Sequence, residues 1–346
     1  MNILKPIERL ITAINLSIPD RVPIVPQLTY AASRITGIKF IDGIKSSEKM
    51  AKAILEAYRF YEYDGIYVGW ESSFNLVAEA MGCKLKFFED SPPTVIENIV
   101  KNEEDLDKIK IPDPYKDGRL PLNLDALKIV KSKIGDETLI FSYVPSPFTL
   151  SSLLIGLDSF LINIIKKPRL IHDLNKICLE ACKAFAEAKI ECGANVITIS
   201  DPIASTSVIS PEMFKNFSKP YLLDILLFIK KKKAIPSLHI CGETTPILEQ
   251  FLEMDIKIVE LDSKVDLYIA KNKIGKKICI MGNIDTSLLR SGKIEEIDLE
   301  VKKCIEKAAI NGGYILSSGC EVPIDTPIEN IKALVSASKK YGKYDL

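Results

Sequence analysis

Histidine is nearly missing from this chain: His172 and His239 are the only two in 346 residues. Tryptophan is rarer, with Trp70 alone. Net charge is lacking as well, because 46 Lys+Arg balance 46 Asp+Glu. A neutral chain has no overall field to hold duplex nucleic acid or an anionic membrane, which argues against a chain-wide partner of that kind and leaves only local patches open. Long apolar runs are also missing. Stretches such as YLLDILLFIK (221–230) are short and broken by charge, well under the roughly 20 residues that span a bilayer. The start, MNILKPIERLITAINLS, sets Glu8 and Arg9 among its apolar positions, and no small-residue cleavage site follows. It reads as an amphipathic helix leading to a turn at Pro19-Asp20, not as a secretion signal. Eight cysteines without an export signal point to the reducing cytoplasm, where thiols are packed or bind metal and seldom build a disulfide framework.

What is present is alternation. Short apolar, β-branched runs at 22–28, 64–70, 139–144, 195–200, 235–241, 257–261, 277–283 and 314–320 alternate with helix-like stretches. Examples of the latter are SEKMAKAILEAYRFYEY and IEEIDLEVKKCIEKAAING. Strand–helix alternation means a parallel sheet, and about eight repeats in this length favour a closed (β/α)8, or TIM, barrel. One domain over 1–346 is the simplest organisation, with a possible insertion around 83–125. SPEMFKNF, TPILEQFL and TPIENIKALV each set Ser or Thr before Pro with an acid soon after. Ser/Thr suits an N-cap, Pro the first helical position, and the acid the helix dipole. The segments before them therefore fall on strand-to-helix loops, which form the catalytic face of a barrel.

Chemistry collects at those loops. His239 and Cys241 sit two apart at the end of a strand, so both side chains face one way. Cys320 ends the last strand, and glycines adjoin both cysteines, Gly242 and Gly319. One imidazole and two thiols form a soft N/S set suited to zinc, and three protein ligands leave a fourth position open, as in catalytic sites. On spacing alone, a metal site and ordinary packing both remain open. Asp201, Glu71, Asp262, Asn283 and Asp285 follow other strands and are candidates to orient His239 or approach the metal. Their alternative is capping or loop hydrogen bonding. Gln27, Tyr30, Trp70, Phe74, Tyr143 and Phe148 are candidates to line the mouth, with core packing as the alternative for the aromatics. The remaining cysteines fit packing, and His172, at a helix start, is expected to be solvated.

HICG followed by TTPIL, then SSGCEVPIDTPIENIKAL, resembles the H-x-C…C pattern of zinc-dependent corrinoid methyltransferases in the uroporphyrinogen decarboxylase superfamily. The likeness extends through IERLITAINLSIPDRVPIVP, ISDPIASTSVISPEMFKNF and MGNIDTSLL, in the family's order. It resembles most the methylcobamide:coenzyme M type. The resemblance implies a uroporphyrinogen decarboxylase-like barrel holding Zn2+ through His239, Cys241 and Cys320. It further implies transfer of a methyl group from a methylated corrinoid to a small thiol such as coenzyme M. No D-x-H-x-x-G corrinoid-binding signature occurs in the chain, so the corrinoid is expected on a separate small protein. A sulfonated acceptor would want a cation nearby, for which Arg21 and Arg34 are candidates by position. Against the decarboxylase itself, RVPIVPQLTYAASRITG lacks that enzyme's arginine-containing substrate motif. A metal-independent lyase, an accessory protein that binds a corrinoid without turnover, and the reverse reaction of corrinoid methylation remain the alternatives.

Overall fold

The computed structural model describes residues 3–70 and 73–344. Seven parallel strands run β1 (Gly65–Tyr67), β4 (Leu139–Pro145), β5 (Val196–Ser200), β6 (Ile235–Ile240), β7 (Ile258–Leu261), β8 (Cys279–Ile284) and β9 (Tyr314–Ser318), in that order around the sheet. Each matches an expected apolar run. The eighth stave is residues 22–28, which make no regular strand because Pro23 and Pro26 carry no N–H for a ladder. It still closes the barrel. Val25 N donates to Leu316 O and Leu316 N donates to Pro23 O, both at 2.9 Å, while Asp64 N donates to Ile24 O at 2.8 Å on the other side.

Helices cover the outside of the staves, among them Ser47–Tyr61, Leu120–Ile134, Pro168–Glu191 and Ile328–Tyr341. The strands are buried on both faces, as a parallel sheet under helices must be. One apolar cluster lies between sheet and helices. A second, including Val25, Tyr67, Phe141, Ile258 and Met281, fills the barrel interior and is sealed below by Leu10, Ala13 and Ile14 of the helix Pro6–Ile14. Among the described residues no single helix is long and apolar enough to cross a membrane. Between β1 and β4 the chain forms an antiparallel hairpin, β2 (Lys84–Lys86) with β3 (Thr94–Glu97).

The three capping signals have different outcomes. Ser210 Oγ accepts from Met213 N at 3.1 Å, as expected. TPILEQFL forms a 3-10 helix, Thr245–Glu253, whose first N–H goes instead to Glu243 Oε1 at 2.6 Å. In the last case Pro327 itself is the N-cap of Ile328–Tyr341, and Thr326 makes no capping bond. Proline fits there because a cap needs extended backbone and its missing N–H costs the helix nothing.

Candidate metal centre

The parallel register sets Ser200 beside His239 and His239 beside Glu260, so these positions share a level of the barrel wall near its C-terminal end. His239 is buried, whereas Cys241 and Cys320 are half-exposed at the mouth. His239 Nε2 lies 3.2 Å from Cys241 Sγ and 3.7 Å from Cys320 Sγ, and the two sulfurs are 3.7 Å apart. Zinc bonds of about 2.3 Å to sulfur and 2.0–2.1 Å to nitrogen give tetrahedral edges of about 3.8 Å (S···S) and 3.6 Å (S···N). The two edges to Cys320 match one face of such a tetrahedron, and the shorter 3.2 Å edge from His239 to Cys241 would open slightly to complete it. The triad is the sole His/Cys/Asp/Glu group of this kind among the described residues.

Two glycines let the sulfurs converge. Gly242 has φ +77°, and a Cβ there would lie 2.7 Å from Ser205 Oγ. At Gly319 a Cβ would meet Ser263 N at 2.6 Å, so only glycine lets the end of β9 approach the loop after β7.

Hydrogen bonding prepares the ligands. His239 Nδ1 lies 3.2 Å from the Glu260 carbonyl, an acceptor only, so Nδ1 carries the proton and Nε2 faces the sulfurs. Burial alone would lower the His239 pKa, but the hydrogen bond and charge of Cys320 raise it to about 9. The Cys241 hydrogen bond, with His239 adding to it, draws the Cys320 thiol well below its ordinary range. The same contact with Cys320, reinforced by burial, pushes Cys241 up.

The other expected residues divide. Asp201 is buried, but its carboxylate turns toward the outer helices, accepting from Thr149 Oγ1 and Ser218 Oγ, each at 2.6 Å. Its backbone N–H alone meets the site's strand, donating to His239 O at 2.8 Å. Asp262 pins the turn after Cys241 by accepting from Gly242 N at 2.8 Å. Asn283 Nδ2 donates to Asp262 O at 2.8 Å and Val265 O at 2.7 Å, tying the loop after β7 to β8. Asp285 caps Thr286–Ser291 through Ser287 N at 2.7 Å. Glu71 lies outside the described residues.

Gln27 is buried next to the end of β9, its N–H 3.1 Å from Ser318 Oγ and its carbonyl accepting from Val322 at 3.0 Å. Tyr30 is half-exposed, and its phenol pKa is raised by burial and by the negative charges of Glu321 and Cys320. Phe74 is partly exposed and packs on the interior cluster. Tyr143 faces the interior, stacked on Tyr67 at 4.8 Å between ring centroids. Trp70 and Phe148 do not line the mouth. Both are fully buried, Trp70 stacked on Phe40 and Phe148 edge-on to Phe160. An apolar ring at a strand end can turn outward into the helix layer, and the packing there takes it.

Arg21 is also misplaced as an anion binder. It belongs to the opposite end of the barrel, where its Nη1 and Nη2 lie 2.7 and 2.9 Å from the Asp64 carboxylate. Arg34 is exposed and lines a surface cleft with Ser33, Lys39, Ile324 and Asp325, just beyond Cys320. His172 is not simply solvated: its ring stacks on Phe217 at 4.7 Å.

Sequence reasoning missed one group, the buried Glu260, with the hydroxyls of Thr198, Ser237 and Tyr143 around it. The signal was a lone charge inside the apolar strand KIVEL. With alternate Ser237, His239 and Cys241 facing inward on the neighbouring strand, it marks a polar layer beneath the candidate metal site.

Barrel and site together define a (β/α)8 protein with a His/Cys/Cys group that could hold a metal ion at the C-terminal mouth of the barrel. The uroporphyrinogen decarboxylase (URO-D) family matches residues 5–341, and the chain belongs to it. Methylcobamide:CoM methyltransferase MtaA of Methanosarcina barkeri is 31% identical over 341 residues, covering 96% of this chain and 97% of that protein. Methylcobamide:CoM methyltransferase MtbA of Methanosarcina acetivorans is 30% identical over 343 residues, covering 97% and 98%. A solved methyltransferase from Methanosarcina mazei superposes with a TM-score of 0.89 at 28% identity, covering 98% of this chain and 99% of that one.

Proposed function

We propose that this chain is a zinc-dependent methyltransferase that moves a methyl group from a methylated corrinoid, carried on a separate small protein, to a small thiol such as coenzyme M. The observation that carries this reading is the convergence of His239 Nε2, Cys241 Sγ and Cys320 Sγ within 4.8 Å of one another at the barrel mouth. The names of the relatives, methylcobamide:CoM methyltransferases, support the donor and acceptor classes. The eight free cysteines suit a reducing, cytoplasmic setting.

A zinc ion held by these three residues would supply an open fourth position and the Lewis acidity that keeps a thiol deprotonated at neutral pH. The protein does the rest by positioning. The Glu260 carbonyl keeps His239 in the tautomer that presents Nε2. Asp262 and Asn283 hold the loops that carry and face Cys241. Gln27 braces the end of β9 ahead of Cys320. Tyr30 and Phe74 offer partly exposed rings at the mouth to a flat macrocycle. In the reaction the thiol proton leaves to solvent and the S–CH3 bond forms as the Co–CH3 bond breaks. The electron pair of that bond stays on cobalt, which leaves as Co(I).

The test is methylation of coenzyme M by methylcobalamin, read with metal content. Wild-type protein should hold about one zinc per chain. Cys241→Ser and Cys320→Ser should lose most of that zinc and at least ~100-fold in rate, the upper range for disturbing a metal site. Full activity in both variants, or carbon dioxide released from uroporphyrinogen in the presence of a chelator, would overturn the reading in favour of a lyase.

A further inference from the structure

Glu260 sits inside the barrel at the level of His239 and is 1% exposed. Its Oε1 accepts hydrogen bonds from Thr198 Oγ1 at 2.6 Å and Ser237 Oγ at 2.8 Å, and its Oε2 accepts from Tyr143 OH at 3.1 Å. Three hydroxyl hydrogens directed at two oxygens are what a carboxylate, an acceptor only, requires. Among the described residues no lysine or arginine forms an ion pair with it. A barrel interior can hold apolar side chains at this level, as it does at Phe141, Val196 and Ile258 just below. A buried charge paired with no lysine or arginine is costly, and the hydroxyl dipoles and the neighbouring His239, whose protonated form the Glu260 charge favours, offset that cost only in part. Ser237, which binds the carboxylate, precedes His239 by two residues, about 7 Å along a strand. The charge therefore lies directly beneath the triad, in a medium that screens it weakly.

We infer that Glu260 tunes the reactivity of the bound thiol, acting through its field without touching either substrate. The inference rests on the methyltransferase reading above. Two thiolates and a neutral imidazole already balance a divalent cation, so an arriving thiolate makes the centre negative. Glu260 repels that added charge. As the methyl group is transferred, the sulfur becomes a neutral thioether and the electron pair passes to cobalt. Negative charge thus moves away from Glu260 between ground state and transition state. The repulsion is relieved along the reaction, which weakens thiol binding and raises turnover.

Glu260→Gln separates these effects, because the amide keeps the size and can still accept from Thr198 and Ser237. Zinc content is measured first. Thiol affinity is then read by calorimetry with coenzyme M and no methyl donor, and turnover with methylcobalamin. Tighter thiol binding and slower kcat together, each by about tenfold, are expected, a split that a purely structural role does not produce. Glu260→Asp, which keeps the charge, should stay nearer wild type in both. Unchanged or weaker thiol binding in the folded, zinc-loaded Gln variant overturns the inference. If that variant does not fold, Tyr143→Phe and Thr198→Val take its place. Each removes a donor and leaves the carboxylate less compensated, so thiol binding should weaken and turnover rise. Unchanged thiol binding and turnover in both variants, or shifts of the opposite sign, overturn the inference. Wild-type protein that binds neither zinc nor thiol would instead refute the proposed function, so the two failures are distinct.

Discussion

At the scale of single residues, Asp201 shows how a carboxylate next to a reactive centre can serve the scaffold. Burial raises its pKa above the ordinary value, and hydrogen bonds from Ser146, Ser218 and Thr149 oppose the rise without cancelling it. The linkage sign follows. A carboxyl whose folded pKa is raised favours the folded state most when protonated, below the unfolded value near 3.8. That contribution is lost as pH rises through the folded pKa. Asp201→Asn carries no such titration. Wild type should therefore gain stability relative to Asp201→Asn as pH falls from 7 toward 4, measured by denaturant unfolding at each pH. A pH-independent difference would show that the carboxyl titrates alike in folded and unfolded chains. Asp262 and Asn283 act similarly on backbone groups, and among the neighbouring acids of the described residues Glu260 alone points into the polar layer under the triad.

At the scale of elements, the site depends on loops held at the ends of strands. Asn283 takes two carbonyls of the loop after β7, those of Asp262 and Val265, through one amide. Asn283→Ala leaves both without that donor. The expected loss is about 1–3 kcal/mol of stability, the usual consequence of stranding buried acceptors. It should come with a measurable drop in zinc affinity, because Asp262 in turn holds Gly242 beside Cys241. Thermal unfolding and competition with a chromophoric chelator check the two parts separately. The stave at 22–28 makes a different point about elements. Its apolar pattern was legible and its place in the barrel followed, yet two prolines reduce its ladder to one isolated bridge, Ile24 with Leu316.

At the scale of the whole molecule, the barrel has a functional end and a structural end. The structural end is tied by charge: Arg9 Nη1 lies 2.6 Å from Asp64 Oδ1, Arg9 Nε lies 2.7 Å from Asp20 Oδ1, and Arg21 completes the network. Asp64 also accepts from Ile24 N at 2.9 Å, so this network anchors the irregular stave to the start of β1. Arg9→Ala leaves Asp64 buried with one cation fewer, and breaking such a buried pair costs about 3–5 kcal/mol. The variant should unfold at markedly lower denaturant concentration. Its zinc affinity should stay within about twofold while it remains folded, because distant sites add independently.

The chain's order of strands and their enclosure by helices could be read from the sequence by itself, whereas spacing left His239, Cys241 and Cys320 open between a metal site and packing, and only the family resemblance favoured the metal. Order and enclosure rest on local periodicity, and the candidate set on residue types at strand ends, which are properties of neighbours along the chain. Which ring or carboxylate reaches the site was decided only by tertiary structure. Trp70 and Asp201 follow strand ends and Phe148 opens the helix Pro147–Ile155, all near the level of His239, but which side of the wall each takes depends on helices distant in sequence. Arg21 was drawn to the far end by Asp64, 43 residues away. Glu260 acquired its place because closing the barrel brings Thr198, Ser237 and Tyr143, from three other strands, around one carboxylate. Alternation along a strand assigns a side chain to a face, but only closure of the sheet determines what else that face encloses.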